Sequence, residues 1–353
     1  MAAGKGTFRS FFRKGLLMEQ HKEPALSREM RFLLNGEQGT SVVNSVRREN
    51  IEDIASQDII LAAKLAHIVD ENDGYLLYKK LRHGENSRMT ILVDAVDDEP
   101  YVSSQMGPLL HLWEECVAGA ALAQKVIGGT ELKFLIYKNL TDLDVRIPKT
   151  IGGYPIKRIS GVYPAENRIG GLMEGEKNDC ILLGTCSLIH LYRALAQGRM
   201  QTTAFVTVAG NCIGYPCNME VSIGTPVTEV LHQCGLIDNP TRIVVGGSLT
   251  GVTIEDTDEE LISPVTRAVL AFKENEGDKK YRCIGCGNCQ QVCPNALNPM
   301  LIYQYIRRGM TERLARTDYD RCIGCMACSY ICPAKLDVAG EIARLRQGGG
   351  DRP

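Results

Sequence analysis

The sequence contains the same short cysteine run twice, and this repeat restricts the chain more than any other feature. The runs are Cys283-Ile-Gly-Cys286-Gly-Asn-Cys289-Gln-Gln-Val-Cys293-Pro294 and Cys322-Ile-Gly-Cys325-Met-Ala-Cys328-Ser-Tyr-Ile-Cys332-Pro333. In each run two residues separate the first three cysteines, and proline follows the fourth. Three thiols at this spacing can surround one compact group. The proline is expected to turn the chain away from that group after the fourth thiol.

This spacing predicts iron-sulfur ligation. In runs of this type the fourth cysteine ligates the other of two four-iron clusters, so the predicted ligand sets are crossed. Cluster 1 is assigned to Cys283, Cys286, Cys289 and Cys332, and cluster 2 to Cys322, Cys325, Cys328 and Cys293. Glycines inside the runs are expected to let backbone amides approach the cluster sulfides. These glycines are Gly285, Gly287 and Gly324.

Zinc and disulfides fit the cysteines less well. A structural zinc site usually takes two Cys-x-x-Cys pairs separated by a longer loop, whereas three cysteines within seven residues crowd one small ion. Disulfides are disfavoured because the chain is long enough to bury its own core and shows no secretory signal. The six cysteines outside the runs are interpreted as buried thiols in a reducing compartment. They are Cys116, Cys180, Cys186, Cys212, Cys217 and Cys234.

Length and charge limit the function further. A chain of 353 residues predicts two or three domains. The net charge of -2 argues against a nucleic-acid surface, and no apolar run approaches the roughly 18 residues that cross a bilayer. We therefore expect a cytoplasmic protein whose membrane contact is at most peripheral, at the inner face of the membrane. The basic stretch from Met1 to Lys14 could provide such a contact.

The sequence from residue 51 onward predicts an α/β unit. Thr90 to Val96 is a compact β-branched run typical of a buried strand, and Leu132 to Tyr137 is a second strand. Between them, Leu109 to Val126 shows helical periodicity and ends at Gly128, a plausible C-cap. Strand, helix and strand in this order indicate a parallel βαβ unit. The predicted buried face of the helix consists of Leu110, Trp113, Val117, Ala121 and Leu122.

The next segment predicts a small β-grasp-like unit. Strands are expected at Thr202 to Ala209, Asn218 to Ile223 and Arg242 to Val245, with a helix from Val227 to Cys234 before the last. The acidic residues 253–264 are interpreted as a solvated linker. The predicted fold class is α/β, with a Rossmann-like parallel-sheet domain, a β-grasp domain and an α-helical two-cluster domain. The predicted boundaries are an N-terminal extension 1–50 and domains at 51–198, 199–252 and 265–346.

These segments together resemble the C subunit of the Rnf electron-transport complex over roughly residues 85 to 346. The resemblance is strongest at Glu220-Val-Ser-Ile-Gly-Thr-Pro226, at Pro264-Val-Thr266 and in the cysteine runs. Upstream, Val93-Asp-Ala-Val-Asp-Asp-Glu99-Pro100-Tyr101 is similar to the family's N-x-x-E-C-E-P-Y segment, and Val162-Tyr163-Pro164 is similar to its Y-P loop. The resemblance implies a Rossmann-like domain, a soluble-ligand-binding β-grasp (SLBB) domain and a ferredoxin domain with two clusters.

One departure from the family concerns flavin. Members that bind flavin mononucleotide (FMN) use a loop of the type G-x-G-G-A-G-F-P-T, whose amides contact the phosphate, and this chain has no such loop. The nearest candidate, Gly15 to Pro24, carries Glu19 and Glu23, which would repel a phosphate. The family's barrel-sandwich domain before that loop has no room here either. We therefore expect no FMN site and interpret Glu99 as a structural residue.

The leading prediction is an iron-sulfur electron-transfer subunit of an oxidoreductase complex, without a complete reaction of its own. Its partners would be redox proteins, a flavoprotein or reductase donor and an acceptor subunit. The alternatives are a flavin-dependent NADH-oxidising subunit and a β-grasp module that reduces a bound corrinoid. Cys212 and Cys217 could also form a redox pair, although their spacing matches no thiol-exchange motif.

Overall fold

The computed structural model describes residues 53–129, 131–137, 147–160, 163–165, 169–170, 172–173, 179–273 and 281–346. The predicted N-terminal extension, with its basic stretch and the candidate loop from Gly15 to Pro24, lies outside these residues. The described residues form two five-stranded sheets followed by a helical region. The predicted α/β class, with a parallel-sheet unit, a β-grasp-like unit and a helical unit, is confirmed.

The first sheet is mostly parallel. Its strands are β1 (Thr90–Ala95), β2 (Leu132–Tyr137), β3 (Thr150–Ile151), β4 (Tyr154–Ile159) and β5 (Cys180–Gly184). They lie in the order β3-β4-β2-β1-β5, and only the short edge strand β3 runs antiparallel to its neighbour. All six side chains of β1 are buried. The strand is buried on both faces because packed segments cover both faces of the sheet.

Helices cover one face of this sheet. They are α1 (Ser56–Leu65), α2 (Leu77–His83), α3 (Met106–His111), α4 (Trp113–Ile127) and α5 (Thr185–Gln197). The segment β1-α4-β2 is the predicted parallel βαβ unit. Helix α4 ends as predicted at Gly128, which adopts the left-handed conformation with φ at 67°.

The predicted helix from Leu109 to Val126 is wrong in two respects. The chain breaks at Leu112, where φ is -122° and ψ is 33°, so two helices replace one. The buried face also differs, because Trp113 is 42% exposed and faces solvent. Helix α5 instead approaches small residues of α4, and a methyl group at Gly119 would overlap the backbone carbonyl of Leu188. Large apolar residues suggested the wrong face because small residues allow this close packing.

The second sheet forms the β-grasp-like unit. Its strands are β6 (Thr203–Ala209), β7 (Cys217–Ser222), β8 (Arg242–Val245), β9 (Val252–Ile254) and β10 (Ala268–Phe272), in the order β7-β6-β10-β8-β9. Helix α6 (Val227–Gln233) packs on the sheet, and its buried residues share one core with β6, β7 and β10.

Strand β10 corrects the predicted end of this unit. The strand lies in the middle of the sheet, parallel to β6 and antiparallel to β8, with four of its five residues buried. The sheet of the β-grasp-like unit therefore continues to Phe272, beyond the predicted end at 252 and into the segment assigned to the two-cluster domain from 265. The acidic segment 253–264, expected as a solvated linker, instead includes the end of β9 and the buried Ile262, and it connects two strands of one sheet. A short apolar strand after a charged segment carries too little periodicity to be assigned to the preceding sheet.

The helical region repeats itself. It contains α7 (Asn288–Gln291), α8 (Pro299–Arg307), α9 (Thr311–Leu314), a 3-10 turn (Tyr319–Arg321), α10 (Ala327–Tyr330) and α11 (Val338–Arg346). Helices α10 and α11 follow α7 and α8 at the same 39-residue interval that separates the cysteine runs. A shared apolar core that includes Ile302, Val338 and Ile342 joins the two halves. Among the described residues, no helix is long and apolar enough to cross a membrane.

Candidate metal centres

The structure gathers the eight cysteines of the two runs into two separate pockets. The first pocket is lined by Cys283, Cys286, Cys289 and Cys332. The second is lined by Cys322, Cys325, Cys328 and Cys293. In each pocket, three cysteines of one run therefore lie with the fourth cysteine of the other run. This grouping matches the crossed ligand sets expected from the spacing.

Backbone conformation shapes each cysteine loop in the same way. Gly285 and Gly287 in the first run have φ of 69° and 76°. At the equivalent positions of the second run, Gly324 and Met326 have φ of 70° and 61°. Glycine adopts this left-handed conformation readily, whereas methionine does so at a cost. The second loop therefore holds Met326 in a conformation that the first loop assigns to glycine.

The donor set fits a four-iron cluster better than a single ion. In each pocket four cysteines surround a cavity, as ligands at the corners of a larger group would. The backbone N–H of Leu297 lies 3.3 Å from Sγ of Cys293 and donates to it. Amide donors of this kind tune the potential of a cluster.

The two pockets differ in exposure. Cys283 and Cys286 of the first pocket are exposed, whereas Cys325 and Cys328 of the second are each 8% exposed. Burial raises the pKa of the Cys325 thiol to about 12. This thiol therefore needs the positive charge of bound iron to be held as a thiolate.

Tyr163 connects the second pocket to the α/β unit. Its hydroxyl donates a 2.8 Å hydrogen bond to the backbone carbonyl of Cys325, and the tyrosine is 4% exposed. Its ring packs in an apolar cluster with Cys325, Ala327 and Leu249. The backbone N–H of Leu249 donates in turn to the Glu99 carboxylate at 2.9 Å. All three units of the fold therefore meet beside the second pocket.

The α/β unit places a carboxylate where this kind of fold binds phosphate. Parallel α/β sheets usually bind phosphate at the N-terminus of a helix that follows a strand. At the N-terminus of α5, the Glu71 carboxylate instead accepts hydrogen bonds from the backbone N–H groups of Cys186 at 2.8 Å and Ser187 at 3.0 Å. Asp70 accepts from the N–H of Gly184 at 3.1 Å. A methyl group at Gly184 would overlap the Glu71 carboxylate.

Further carboxylates bind the loops beyond the carboxyl end of β1. Asp97 accepts from the N–H groups of Gln105 and Met106 and pairs with Arg267 at 3.1 Å. Asp98 accepts from the N–H of Ala165 at 2.7 Å. Glu99 anchors the loop that contains Leu249 and Thr250. All three acids are buried, with at most 3% of each residue exposed.

These residues do not fit a flavin phosphate. The amides at the start of α5 already donate to the Glu71 carboxyl, so they are not available to a phosphate. From the sequence, the nearest candidate phosphate loop was Gly15 to Pro24, and the part played by Asp70 and Glu71 was overlooked. An acidic pair next to a turn-forming Asn-Asp-Gly segment was the available signal.

The cysteines outside the runs are not all buried. Cys217 is exposed and Cys180 is partly exposed, which corrects the prediction of six buried thiols. The predicted partner of Cys217 was Cys212, but the structure brings Cys217 beside Cys234, with the two Sγ atoms 3.5 Å apart. Spacing along the chain could not show this contact because the turn after α6 creates it.

Two family models match parts of the chain. A model described as "4Fe-4S dicluster domain" matches residues 276–333, and a model described as "SLBB domain" matches residues 205–253. The first match covers both cysteine runs and confirms the predicted cofactors, two [4Fe-4S] clusters. The second lies on the β-grasp-like unit and confirms its SLBB character.

The chain is also similar to curated proteins. It is 26% identical over 257 residues to the C subunit of the ion-translocating oxidoreductase complex of Erwinia tasmaniensis, covering 67% of this chain and 32% of the relative. The protein of the same name from Rhodobacter capsulatus is 27% identical, with coverage of 64% and 47%. The C subunit of the Na(+)-translocating ferredoxin:NAD(+) oxidoreductase complex of Acetobacterium woodii is 26% identical, with coverage of 63% and 54%. The resemblance to these C subunits is confirmed, although the chain spans only about a third to a half of their length.

Two solved structures share the fold. The crystal structure of NAD+-reducing [NiFe]-hydrogenase in the air-oxidised state matches 93% of this chain and 59% of that chain, with a TM-score of 0.53 and 13% identity. The H2-reduced state matches 96% and 66%, with a TM-score of 0.56 and 14% identity. At this identity the likeness concerns the fold alone.

Proposed function

We propose that this protein is an electron-transfer subunit that relays electrons through two [4Fe-4S] clusters inside an oxidoreductase complex. The observation that carries the proposal is the gathering of eight cysteines into two four-cysteine pockets within one small helical unit. When bound, such clusters accept and donate single electrons. The protein supplies the thiolates, the amide donor at Cys293 and the apolar walls around them.

The difference in exposure gives the two pockets different roles. We infer that cluster 1 exchanges electrons with a partner protein, because its ligands Cys283 and Cys286 are exposed beside the exposed side chains of Tyr281 and Ile284. Cluster 2 would be the inner centre, since Tyr163 and the Leu249 loop cover its ligand loop. The eight cysteines are proposed as ligands in the crossed sets given above.

The partners follow from the same reasoning. The relatives named above are subunits of oxidoreductase complexes, and a relay without a hydride-accepting cofactor needs a donor and an acceptor. We propose redox proteins as both partners. Attachment at the periphery of a membrane complex and a cytoplasmic location remain predictions from the sequence.

A flavin-dependent NADH-oxidising subunit is the competing function. It requires a phosphate site in the α/β unit. In the described residues, the backbone amides of that region already donate hydrogen bonds to Glu71, Asp97 and Asp98. The α/β unit is therefore proposed as a scaffold that covers cluster 2.

Anaerobic purification of the full chain tests the relay directly. We expect about eight iron and eight sulfide per chain, and reversible one-electron reduction of two clusters in a potentiometric titration followed by electron paramagnetic resonance. Tightly bound zinc without visible absorbance would exclude the clusters. Eight iron atoms that cannot be reduced and reoxidised would leave the clusters in place but reject the relay.

A further inference from the structure

The β-grasp-like unit contains a pair of thiols that the relay does not use. Cys217 is the first residue of β7, and Cys234 directly follows α6. Their Sγ atoms lie 3.5 Å apart. Neither residue belongs to the cysteine runs, and neither lines a cluster pocket.

Backbone hydrogen bonds hold the two thiols together. The N–H of Tyr215 donates to the carbonyl of Cys234 at 3.0 Å, and the N–H of Gly214 donates to the carbonyl of Gly235 at 2.7 Å. Next to this hydrogen bond, Ile213, which precedes Gly214, and Leu236, which follows Gly235, form an antiparallel bridge. The approach of the thiols therefore depends on paired main chains and not on the chance position of two surface side chains.

The environments of the two thiols assign them different parts in a thiol reaction. Cys217 is exposed and can meet a reagent from solvent, whereas Cys234 is 2% exposed. Burial, with the hydrogen bond to Cys217, raises the pKa of Cys234 to about 12. The Sδ atom of Met219 lies 3.6 Å from Sγ of Cys234, so the inner thiol is surrounded by sulfur atoms that do not stabilise its thiolate. Cys217 is thus the attacking thiol and Cys234 the resolving thiol.

We propose that Cys217 and Cys234 form a reversible disulfide by exchange with a low-molecular-weight disulfide such as oxidised glutathione. The Cys217 thiolate, its proton lost to solvent, attacks the small disulfide, forms a mixed disulfide and releases one small thiolate. That thiolate takes the proton of Cys234, whose sulfur then attacks Sγ of Cys217 and expels the second small molecule as a thiolate, which takes up a proton from solvent. Two protein thiols are oxidised to one disulfide while one small disulfide is reduced to two thiols.

The geometry requires only a local movement. A disulfide bond is about 2.05 Å long, so the two Sγ atoms must approach each other by about 1.4 Å. The bond would tie the start of β7 to the end of α6 and close a loop that contains the strand and the helix. It would therefore constrain the unfolded β-grasp-like unit and stabilise the folded one. This proposal is independent of the relay function.

Mass spectrometry of the cluster-loaded full chain tests the proposal. Under anaerobic conditions, the protein is equilibrated in glutathione buffers of increasing oxidised fraction, quenched with acid, alkylated and digested. We expect a cross-linked peptide pair that contains Cys217 and Cys234, that grows with the oxidised fraction and that dithiothreitol abolishes. The visible absorbance of the clusters should stay constant, which shows that the ligand cysteines have not reacted.

Two variants sharpen this experiment. In Cys217→Ser the cross-linked pair should disappear, while in Cys212→Ala it should remain, because Cys212 is the alternative partner that spacing suggested. The wild-type peptide pair decides the question even if a variant folds poorly. A cross-link between Cys212 and Cys217 would overturn the proposal. Glutathione attached to Cys217 beside an alkylated Cys234, at every buffer ratio, would overturn it as well.

Discussion

The hydroxyl of Tyr163 donates a 2.8 Å hydrogen bond to the backbone carbonyl of Cys325, a residue 162 positions further along the chain. Both groups are buried. This bond joins the α/β unit to the ligand loop of the inner pocket, where Met326 has a positive φ. We therefore propose Tyr163 as a positioning residue for cluster 2, which would act through the loop and not by contact with iron.

Replacing Tyr163 with Phe should loosen this loop without emptying the pocket. The carbonyl of Cys325 loses its side-chain donor, and a buried group without its partner costs about 1–3 kcal/mol. We expect the full iron content, a shifted midpoint potential of cluster 2 and an unchanged potential of cluster 1. Potentiometric titration followed by electron paramagnetic resonance measures both.

An exposed tyrosine provides the control for this variant. Tyr215 is 76% exposed in the β-grasp-like unit, and Tyr215→Phe should leave both potentials at their wild-type values. Equal potentials in the wild type and Tyr163→Phe would assign Tyr163 a packing role only.

The crossed ligand sets predict which cluster each fourth cysteine supports. Cys293→Ala should disturb the cluster held by Cys322, Cys325 and Cys328, and Cys332→Ala should disturb the other cluster. Each variant should lose about half of its iron. Two reference variants identify the cluster that is lost. Cys283→Ala removes the first cysteine of the first run, and Cys322→Ala removes the first cysteine of the second run. The spectra of the fourth-cysteine variants are compared with those of these two variants. If Cys293→Ala matched Cys283→Ala, each run would hold its own cluster and the crossed sets would be wrong.

The carboxylate at the start of α5 predicts how the α/β unit responds to phosphate. The wild type should lack FMN after gel filtration and should not oxidise NADH with an artificial acceptor, since Glu71 already accepts from the N–H groups of Cys186 and Ser187. Glu71→Ala leaves these amides without acceptors. Inorganic phosphate should then raise the Tm of the variant and not that of the wild type. Stoichiometric FMN in the wild type would favour the flavin-dependent function instead.

The same carboxylate predicts a pH dependence of stability. Burial, followed by repulsion from Asp70, raises the pKa of Glu71 to about 8 in the folded protein. A carboxyl with a raised pKa contributes stability that is complete below its unfolded pKa and is lost as the pH rises through the folded value. The Tm of the wild type relative to Glu71→Gln should therefore fall between pH 5 and pH 8.

Thermal unfolding followed by circular dichroism at each pH tests this sign. Glu114→Gln is the matched control because Glu114 is exposed in the first turn of α4, and its difference from the wild type should stay constant. If the Tm of the wild type instead rose relative to that of Glu71→Gln as the pH increased, the amide hydrogen bonds would outweigh burial.

The cysteine runs allowed the pocket residues to be predicted because the ligand spacing is a local property of the sequence. Strands β1 and β2 could be predicted equally well, since a strand buried in a parallel sheet is a mainly apolar run. The central strand β10 could not, because its pairing with β6 and β8 joins segments far apart in the chain. The contact of Cys217 with Cys234 depends on the same kind of long-range pairing.

The role of the acidic residues could not be predicted from the sequence either. Asp70, Glu71, Asp97 and Asp98 look like solvated charges when only the sequence is read, yet all four are at most 5% exposed. All four accept hydrogen bonds from backbone amides, and Asp70 and Asp97 also pair with Lys80 and Arg267, contacts that no local sequence pattern marks. Only the fold shows that these carboxyl groups accept hydrogen bonds from backbone amides near the carboxyl ends of the strands.

The exposed face of cluster 1 leads to the last prediction, which concerns the docking of a redox partner. Ile284 is 68% exposed between the ligands Cys283 and Cys286, so a partner that approaches this cluster must cover its side chain. The exposed Arg307, one helical turn beyond Tyr303 of the same pocket, pairs with Glu341 at 3.8 Å, and the next residue, Arg308, adds a second exposed cation that favours an acidic partner. Ile284→Asp adds a repelling charge that docking would bury.

We expect Ile284→Asp to keep both clusters and to exchange electrons with a small acidic ferredoxin about tenfold more slowly, a change of about 1.4 kcal/mol. Stopped-flow mixing with the reduced ferredoxin at low ionic strength measures the rate. Ile237→Asp is the matched control because Ile237 is 67% exposed in the β-grasp-like unit, away from the cysteine runs. Equal slowing in the two variants would reflect net charge alone, and wild-type rates in Ile284→Asp would place the docking surface on another face of the protein.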